Sequence, residues 1–296
     1  MISFLKKTFS KKYITKDFLK NYLPKNICKS VDLDYLEVKK TSFVTEKLKE
    51  VFSDMLFQTK INNQNGYIYF LFEHKSYKDK FLALQVLSYM LEIWKEDKLR
   101  VNNKLPIILP IIIYHGESNW TNCNNLNELI ESYPKDFSKF IPDYDFLFYD
   151  LTRFTDKEIQ GIIELRVFLI IYRDIFIKDQ EEFLETLSKA MALFKKLESQ
   201  KKVTEYFETF MRYIFDVNQL DNKDFKEVVK KISSKYPEGG KKIMTLADQL
   251  KKEGEVKKER EIILSLLKNG MKEKEVAEKT GIDLERILKI EKEMKN

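Results

Sequence analysis

The chain has 296 residues, 43% of them hydrophobic, with 53 Lys+Arg against 47 Asp+Glu and a formal net charge of +6. That supports one large domain or a domain with an appendage, and the mild positive excess permits a polyanionic partner without requiring one. Cys28 and Cys123 lie far apart with no CxxC spacing, which argues against a disulfide framework or a structural zinc site and fits a reducing, cytoplasmic setting.

The opening MISFLKKTFSKKYITK is basic but lacks the apolar region of a secretory signal. From residue 11 to 53 the spacing predicts helices, with FLKNYL and SFVTEKLKEVF carrying apolar residues at helical intervals and Pro24 interrupting between them. MLFQTKI and YIYFLFEHK then alternate with period two, which predicts a β-hairpin. Residues 79–98, including KFLALQVLSYMLEIWK, return to a helical stripe, LPIILPIIIYHG reads as a buried strand, and DFLFYDL reads as another. Between those strands, ESNWTNCNNLNELIESYP is polar and loop-rich. The order predicts a mixed α/β core over residues 1–155. A helical lobe is expected over 156–234, then a Pro/Gly break at KYPEGGKK. A charged helix with a helix-turn-helix-like tail is expected over 243–296. The longest apolar run, LPIILPIIIY, is half of what a spanning helix needs and holds two prolines, so no membrane association is expected.

The hairpin carries the chemistry. A tip centred between Asn63 and Gln64 pairs Asp54 with Glu73, Met55 with Phe72, Phe57 with Phe70 and Thr59 with Ile68. Both carboxylates then share one face and the apolar residues the other, whereas a slip of one residue mixes the two. Opposed like charges destabilise a strand pair. Lys75 follows Glu73 by two positions, on the same side of an alternating strand. Lys75 or a divalent cation, which favours carboxylate oxygen and phosphate, would compensate. Two acids, an amine and such a metal suit phosphodiester hydrolysis. The competing reading is a solvated, ion-paired surface hairpin.

An Asp on one strand and Glu-x-Lys on the next, flanked by helices, resembles the PD-(D/E)xK nuclease superfamily. FLKNYLP, LEVKKTSFVTEKLKEVFSDMLF, GYIYFLFEHKS, LSYMLEIW and LPIILPIIIYHGESNW, in this order, more specifically resemble the Rpn recombination-promoting nucleases, or YhgA-like transposases. That resemblance implies a restriction-endonuclease-like mixed sheet flanked by helices, followed by an all-helical C-terminal part. It implies a DNA endonuclease dependent on Mg²⁺ or another divalent cation such as Mn²⁺ or Ca²⁺. Carried over by position, Asp54 and Glu73 would hold the metal and Lys75 would assist the attacking water. Lys75 stands where many members have Gln. Glu46, eight residues before Asp54 on the preceding helix, lies about where superfamily nucleases present an auxiliary metal-binding acid, the commoner reading being an exposed helix glutamate in TEKLKE. The C-terminal helical module is expected to aid DNA binding or self-association. The family's opening His-Asp pair is not matched by SFLKKTFS, so a catalytically inactive, transposon-derived DNA-binding protein is the alternative expectation.

Gln85 is a secondary candidate for contact with the site or DNA, its commoner role being a surface amide. His74 and His115 read as structural residues rather than bases or ligands. Tyr67 and Tyr69 share the carboxylate face, where they would line a nucleic-acid groove or simply pack. GxxxxGK[ST], GxGxxG, HExxH and GxSxG are all absent, so no ATP-driven, zinc-protease or α/β-hydrolase chemistry is indicated.

Overall fold

The computed structural model describes residues 2–39, 55–73, 80–95, 104–116, 120, 125–196, 211–212, 214, 229–230, 233–234 and 237–295. Two compact units divide the chain, Met1–Pro237 and Glu238–Asn296.

The first unit opens with α1 (Ile2–Phe9), α2 (Lys12–Tyr22) and α3 (Lys25–Ser30), ahead of β1 (Glu37–Lys39). A hairpin follows, β2 (Met55–Ile61) and β3 (Gln64–Glu73), then α4 (Leu82–Lys95), β4 (Ile107–Tyr114) and β5 (Leu147–Asp150). Helices α5 (Ile163–Asp174) and α6 (Gln180–Lys195) come next. The five strands form one sheet in the order β1-β2-β3-β4-β5. The pairs β1/β2 and β2/β3 are antiparallel, while β3/β4 and β4/β5 are parallel. This is the mixed α/β sheet flanked by helices, with helical C-terminal elements, that the sequence pattern implied. Two elements depart from that pattern. Residues 37–39 form a strand inside the stretch read as helical, and the basic opening forms α1, whose Leu5 and Phe9 are buried.

Both faces of the sheet are covered. On one, α4 lays Leu82, Ala83, Val86, Tyr89, Met90 and Ile93 on Leu56, Tyr67, Tyr69, Leu71, Ile108 and Ile112. On the other, Phe70, which also meets Phe57, and Phe72 pack on Phe9 of α1, Phe18 of α2 packs on Phe70, and Phe168 of α5 packs on Phe9, with Phe9–Phe72 centroids 4.9 Å apart and Phe9–Phe168 5.5 Å apart. Each buried aromatic ring contributes on the order of 1.5–3 kcal/mol. Thr59, the one hydroxyl expected on this apolar face, is buried and donates to the Asp32 carbonyl at 2.7 Å.

The hairpin register differs from the expected one. Its turn is Asn62-Asn63, so Met55 pairs with Phe70, Leu56 with Tyr69, Phe57 with Ile68 and Thr59 with Gly66. Both turn residues have positive φ, 48° and 64°, as a two-residue turn that matches strand twist requires, and Asn tolerates this conformation. The offset is two residues. It therefore leaves every residue on its expected face, so the apolar pattern could not distinguish the two registers.

α5 and α6 are joined by an ionic cluster with Arg173 and Asp174 buried and Asp156 and Lys189 at its exposed margin. Arg173 donates to Asp174 at 2.5 and 3.0 Å, to Asp156 at 2.7 Å and to the Phe154 carbonyl at 2.8 Å. Thr186 and Lys178 reach the same Asp174 carboxylate at 2.6 and 2.8 Å, and Lys189 holds Asp156 at 2.8 Å. Burial pushes the Asp174 pKa up, but its hydrogen bonds from Arg173, Lys178 and Thr186 outweigh this and hold it below the ordinary value. Hydrogen bonds from Lys189 and Arg173 lower that of Asp156 to about 2.

In the second unit, α7 (Pro237–Lys268) runs through the PEGG segment and the charged stretch that follows it. α8 (Glu273–Thr280) and α9 (Leu284–Lys295) follow. Gly281 ends α8 at φ 71°, its N–H donating to the Ala277 carbonyl at 2.9 Å. Ile263, Val276, Ile287 and Ile290 form the core of this unit, and Glu259–Arg286 and Arg260–Glu293 pairs tie α7 to α9. Among the described residues, no helix is long and apolar enough to cross a membrane.

Two stability outcomes follow. Asn63→Gly, which removes the positive-φ cost, should raise the urea midpoint, while Asn63→Val should lower stability by about 1–2 kcal/mol. Asp156 and Asp174 have depressed folded-state pKa values, so their contribution is complete above the ordinary carboxylate range near 3.8 and is withdrawn as pH falls toward about 2. Asp174→Asn should cost about 3–5 kcal/mol at neutral pH and flatten the acid limb of a near-UV circular-dichroism stability profile; an unchanged acid limb would assign the pH dependence elsewhere.

Candidate functional site

The parallel strands β3, β4 and β5 end together. Glu73, Tyr114 and Asp150, their last residues, stand in register, Glu73 beside Tyr114 and Tyr114 beside Asp150. Open α/β sheets bind ligands beyond such carboxyl ends. The backbone of Glu73 is thus at the strand end, in the same alternation as Tyr67, Tyr69 and Leu71. Asp54, Lys75, Glu46 and His74 lie outside the described residues. The direct pairing expected between Asp54 and Glu73 does not follow from the observed register, in which Met55, the residue after Asp54, pairs with Phe70 rather than Phe72. Among the described residues, no three His, Cys, Asp or Glu side chains form a metal-binding group.

The secondary candidates resolve into packing roles. Tyr67 and Tyr69 are each 3% exposed and packed under α4, with Tyr69 and Tyr89 centroids 5.6 Å apart; burial raises the Tyr67 pKa. They do not line an open groove. Gln85 is half-buried and donates to the Tyr89 hydroxyl at 3.3 Å. His115, directly after β4, is fully buried against the rings of Tyr172 and Phe176. A cleft of about 400 Å³, lined by Asn63–Asn65 and Lys104–Ile107, is at the opposite end of β3 from Glu73.

Asp150 is a residue the sequence reading missed. It is buried, and its Oδ2 accepts from the Trp120 backbone N–H at 2.8 Å while Oδ1 accepts from the Thr152 N–H at 3.0 Å and the Thr152 hydroxyl at 2.5 Å. Arg153 sits 3.1 Å from the same carboxylate and donates to the Trp120 carbonyl at 2.5 Å. Together they hold the backbone at Trp120 against the strand ends, where its ring meets Tyr114 at 4.9 Å. With its lone pairs taken by backbone and hydroxyl donors, Asp150 is a positioning residue. The Asp-x-Thr spacing of Asp150-Leu151-Thr152 was the available local signal, since such a carboxylate caps a following turn.

The family model described as "Putative transposase, YhgA-like" matches residues 3–205. The chain belongs to the YhgA-like transposase family. It is 27% identical over 242 residues to Recombination-promoting nuclease RpnD of Escherichia coli O157:H7, covering 79% of this chain and 87% of that protein. It is 25% identical over 279 residues to Recombination-promoting nuclease RpnA of Escherichia coli strain K12, covering 92% and 90%. It is also 25% identical over 239 residues to Inactive recombination-promoting nuclease-like protein RpnE of the same strain, covering 81% and 77%. No solved structure matches the chain.

Asp150→Ala should leave Trp120 N–H without its acceptor and cost about 1–3 kcal/mol. The loss should be visible as altered tryptophan fluorescence of the folded protein. Unchanged fluorescence and stability would show that Arg153 alone holds this segment.

Proposed function

We propose that this chain is a divalent-cation-dependent DNA endonuclease of the recombination-promoting type. The likeness that spans 92% of this chain and 90% of RpnA, a protein named as a recombination-promoting nuclease, carries this reading. The position of Glu73 at the carboxyl ends of parallel strands supports it. In sequence Asp54 directly precedes β2, the antiparallel partner of β3, which ends in Glu73.

In this proposal Asp54 and Glu73 hold the cation, with Glu46 as an auxiliary acid. Hard carboxylate oxygens on this scale suit Mg²⁺, and equally Mn²⁺ or Ca²⁺. When bound, such an ion supplies Lewis-acid charge at the phosphoryl group. Lys75 orients the attacking water and offsets charge developing on the phosphate. The water oxygen bonds to phosphorus in line with the departing oxygen, whose bond to phosphorus breaks, and the proton lost by the water is balanced, through solvent, by one taken up at the departing oxygen.

The second reading, a catalytically inactive DNA-binding protein, is favoured by the comparable similarity to RpnE, which is named inactive.

Supercoiled plasmid incubated with and without Mg²⁺ separates the two. The endonuclease reading expects nicking that requires the ion and falls at least about 100-fold in Asp54→Ala and Glu73→Gln, both folded by circular dichroism. Nicking retained by Asp54→Ala removes that residue from the mechanism. Plasmid binding by the unaltered protein with no cleavage under Mg²⁺ or Mn²⁺ establishes the inactive alternative.

A further inference from the structure

The positive charge of this protein is not spread over it. Residues 1–30 hold eight lysines and one acid, Asp17, a balance of +7, whereas the whole chain carries +6. The remaining residues therefore contain 45 Lys and Arg against 46 Asp and Glu. A lysine-rich codon bias would not produce this partition, because it would apply along the entire chain.

The fold turns that segment into a surface. α2 buries Ile14, Thr15, Phe18 and Leu19, which leaves Lys12, Lys16 and Lys20, four residues apart, along its outward side with the half-exposed ring of Tyr13. The single acid is taken inward, Asp17 accepting from the Ile162 backbone N–H at 2.7 Å. Lys12 and Lys16 are anchored to Asp34, through its carbonyl and its carboxylate respectively. Lys7, Lys20, Lys25 and Lys29 are exposed.

This surface runs along the length of the hairpin. At one end Phe9 of α1 touches Phe72, the neighbour of Glu73, and in the middle Phe18 of α2 touches Phe70. At the other end the carbonyl of Ser30, after Lys29, accepts from Asn62 N–H at the hairpin turn. The ten residues of β3 span roughly 33 Å, so the lysines accompany the strand from its turn to the end that bears Glu73.

We propose that the outer surface of α1–α3 is the face that holds the phosphate backbone of a nucleic-acid duplex and leads it to the Glu73 end of the sheet. The ligand's identity rests on the nuclease reading; the surface and its polarity come from the fold. An anionic membrane is the rival polyanion. Basic interfacial helices bind it by inserting an apolar face, and here Leu5 and Phe9 of α1 and Ile14, Phe18 and Leu19 of α2 are all buried in the core, with Tyr13 half-exposed. What faces outward is charge on flexible stems, which suits backbone phosphates without base reading.

The test is duplex binding in EDTA, where no metal-dependent cleavage proceeds, across a range of salt. Each lysine that neutralises a phosphate contributes about 0.9 to the slope of log K against log salt. The fourfold variant Lys7→Gln, Lys20→Gln, Lys25→Gln, Lys29→Gln should lose about 2–4 from that slope. A charge-matched control, Lys135→Gln, Lys139→Gln, Lys157→Gln, Lys195→Gln, all exposed lysines of the same unit, should keep the parental slope. Equal slopes for both variants would overturn the proposal, whether both match the parent or both fall alike. Parental binding to phosphatidylserine vesicles, abolished in the first variant and unaccompanied by duplex binding, would replace the duplex with a membrane. Should the unaltered chain bind duplex through these lysines yet never nick plasmid, the nuclease reading fails and this one stands; nicking with an unaffected salt slope is the reverse.

Discussion

The packing of Phe9 is the contact on which the first unit depends. Its ring lies within 5.6 Å, centroid to centroid, of Phe18, Phe70, Phe72 and Phe168, so one side chain joins α1, α2, β3 and α5. Aromatic pairs at these separations, mostly edge to face, add about 0.5–1.5 kcal/mol beyond area burial. They also set direction. α1 is anchored beside Phe72, at the end of β3 that terminates in Glu73, and α2 beside Phe70 further back along the same strand. The second layer, α4, repeats the arrangement on the opposite face with Tyr69 against Tyr89.

Much of this was legible from residue order alone, for definable reasons. β4 announces itself because Ile111, Ile112 and Ile113 are buried whichever face they meet, and a strand covered on both sides needs no alternation. α4 reads correctly because its buried positions recur at helical spacing. The N-terminal region was harder: FLKNYL shows periodicity, but α1 is short, and its burial rests on Phe168, far along the chain. Strand β1 is only three residues, two of them exposed, and its existence depends on pairing with Leu56, Phe57 and Gln58. Local propensity carries almost none of that information.

The hairpin turn shows a subtler limit. Period-two burial specifies which residues share a face, and any even shift in register satisfies it equally. What selects the observed register is the ability of Asn62 and Asn63 to adopt positive φ, which Gln64 does not share to the same degree. At the site the same division holds. Glu73 is visible as part of a triplet resembling a known family, whereas Asp150 acquires its role from Trp120, thirty residues earlier, and nothing in the strand itself reveals that partner.

A sheet buried on both faces confines where polar chemistry can occur. Away from the turn, where Gln64 and Asn65 are exposed and Gln58 and Lys60 partly so, the flanking layers cover both surfaces of β2 and β3: Leu56, Phe57, Tyr67, Ile68, Tyr69, Phe70 and Leu71 are all buried. An ionised group in the middle of such a strand would carry the desolvation cost of an unpaired interior charge. At the strand ends the buried Asp150 is paired: it accepts from the Trp120 and Thr152 backbone N–H groups. The parallel arrangement of β3, β4 and β5 gathers three strand ends at one edge, and Asp150 with Arg153 holds Trp120 there. The lysines on α1 reach the same edge because Phe9 holds their helix against Phe72. The aromatic packing that stabilises the fold thereby also sets the lysine-rich α1–α2 segment beside β3.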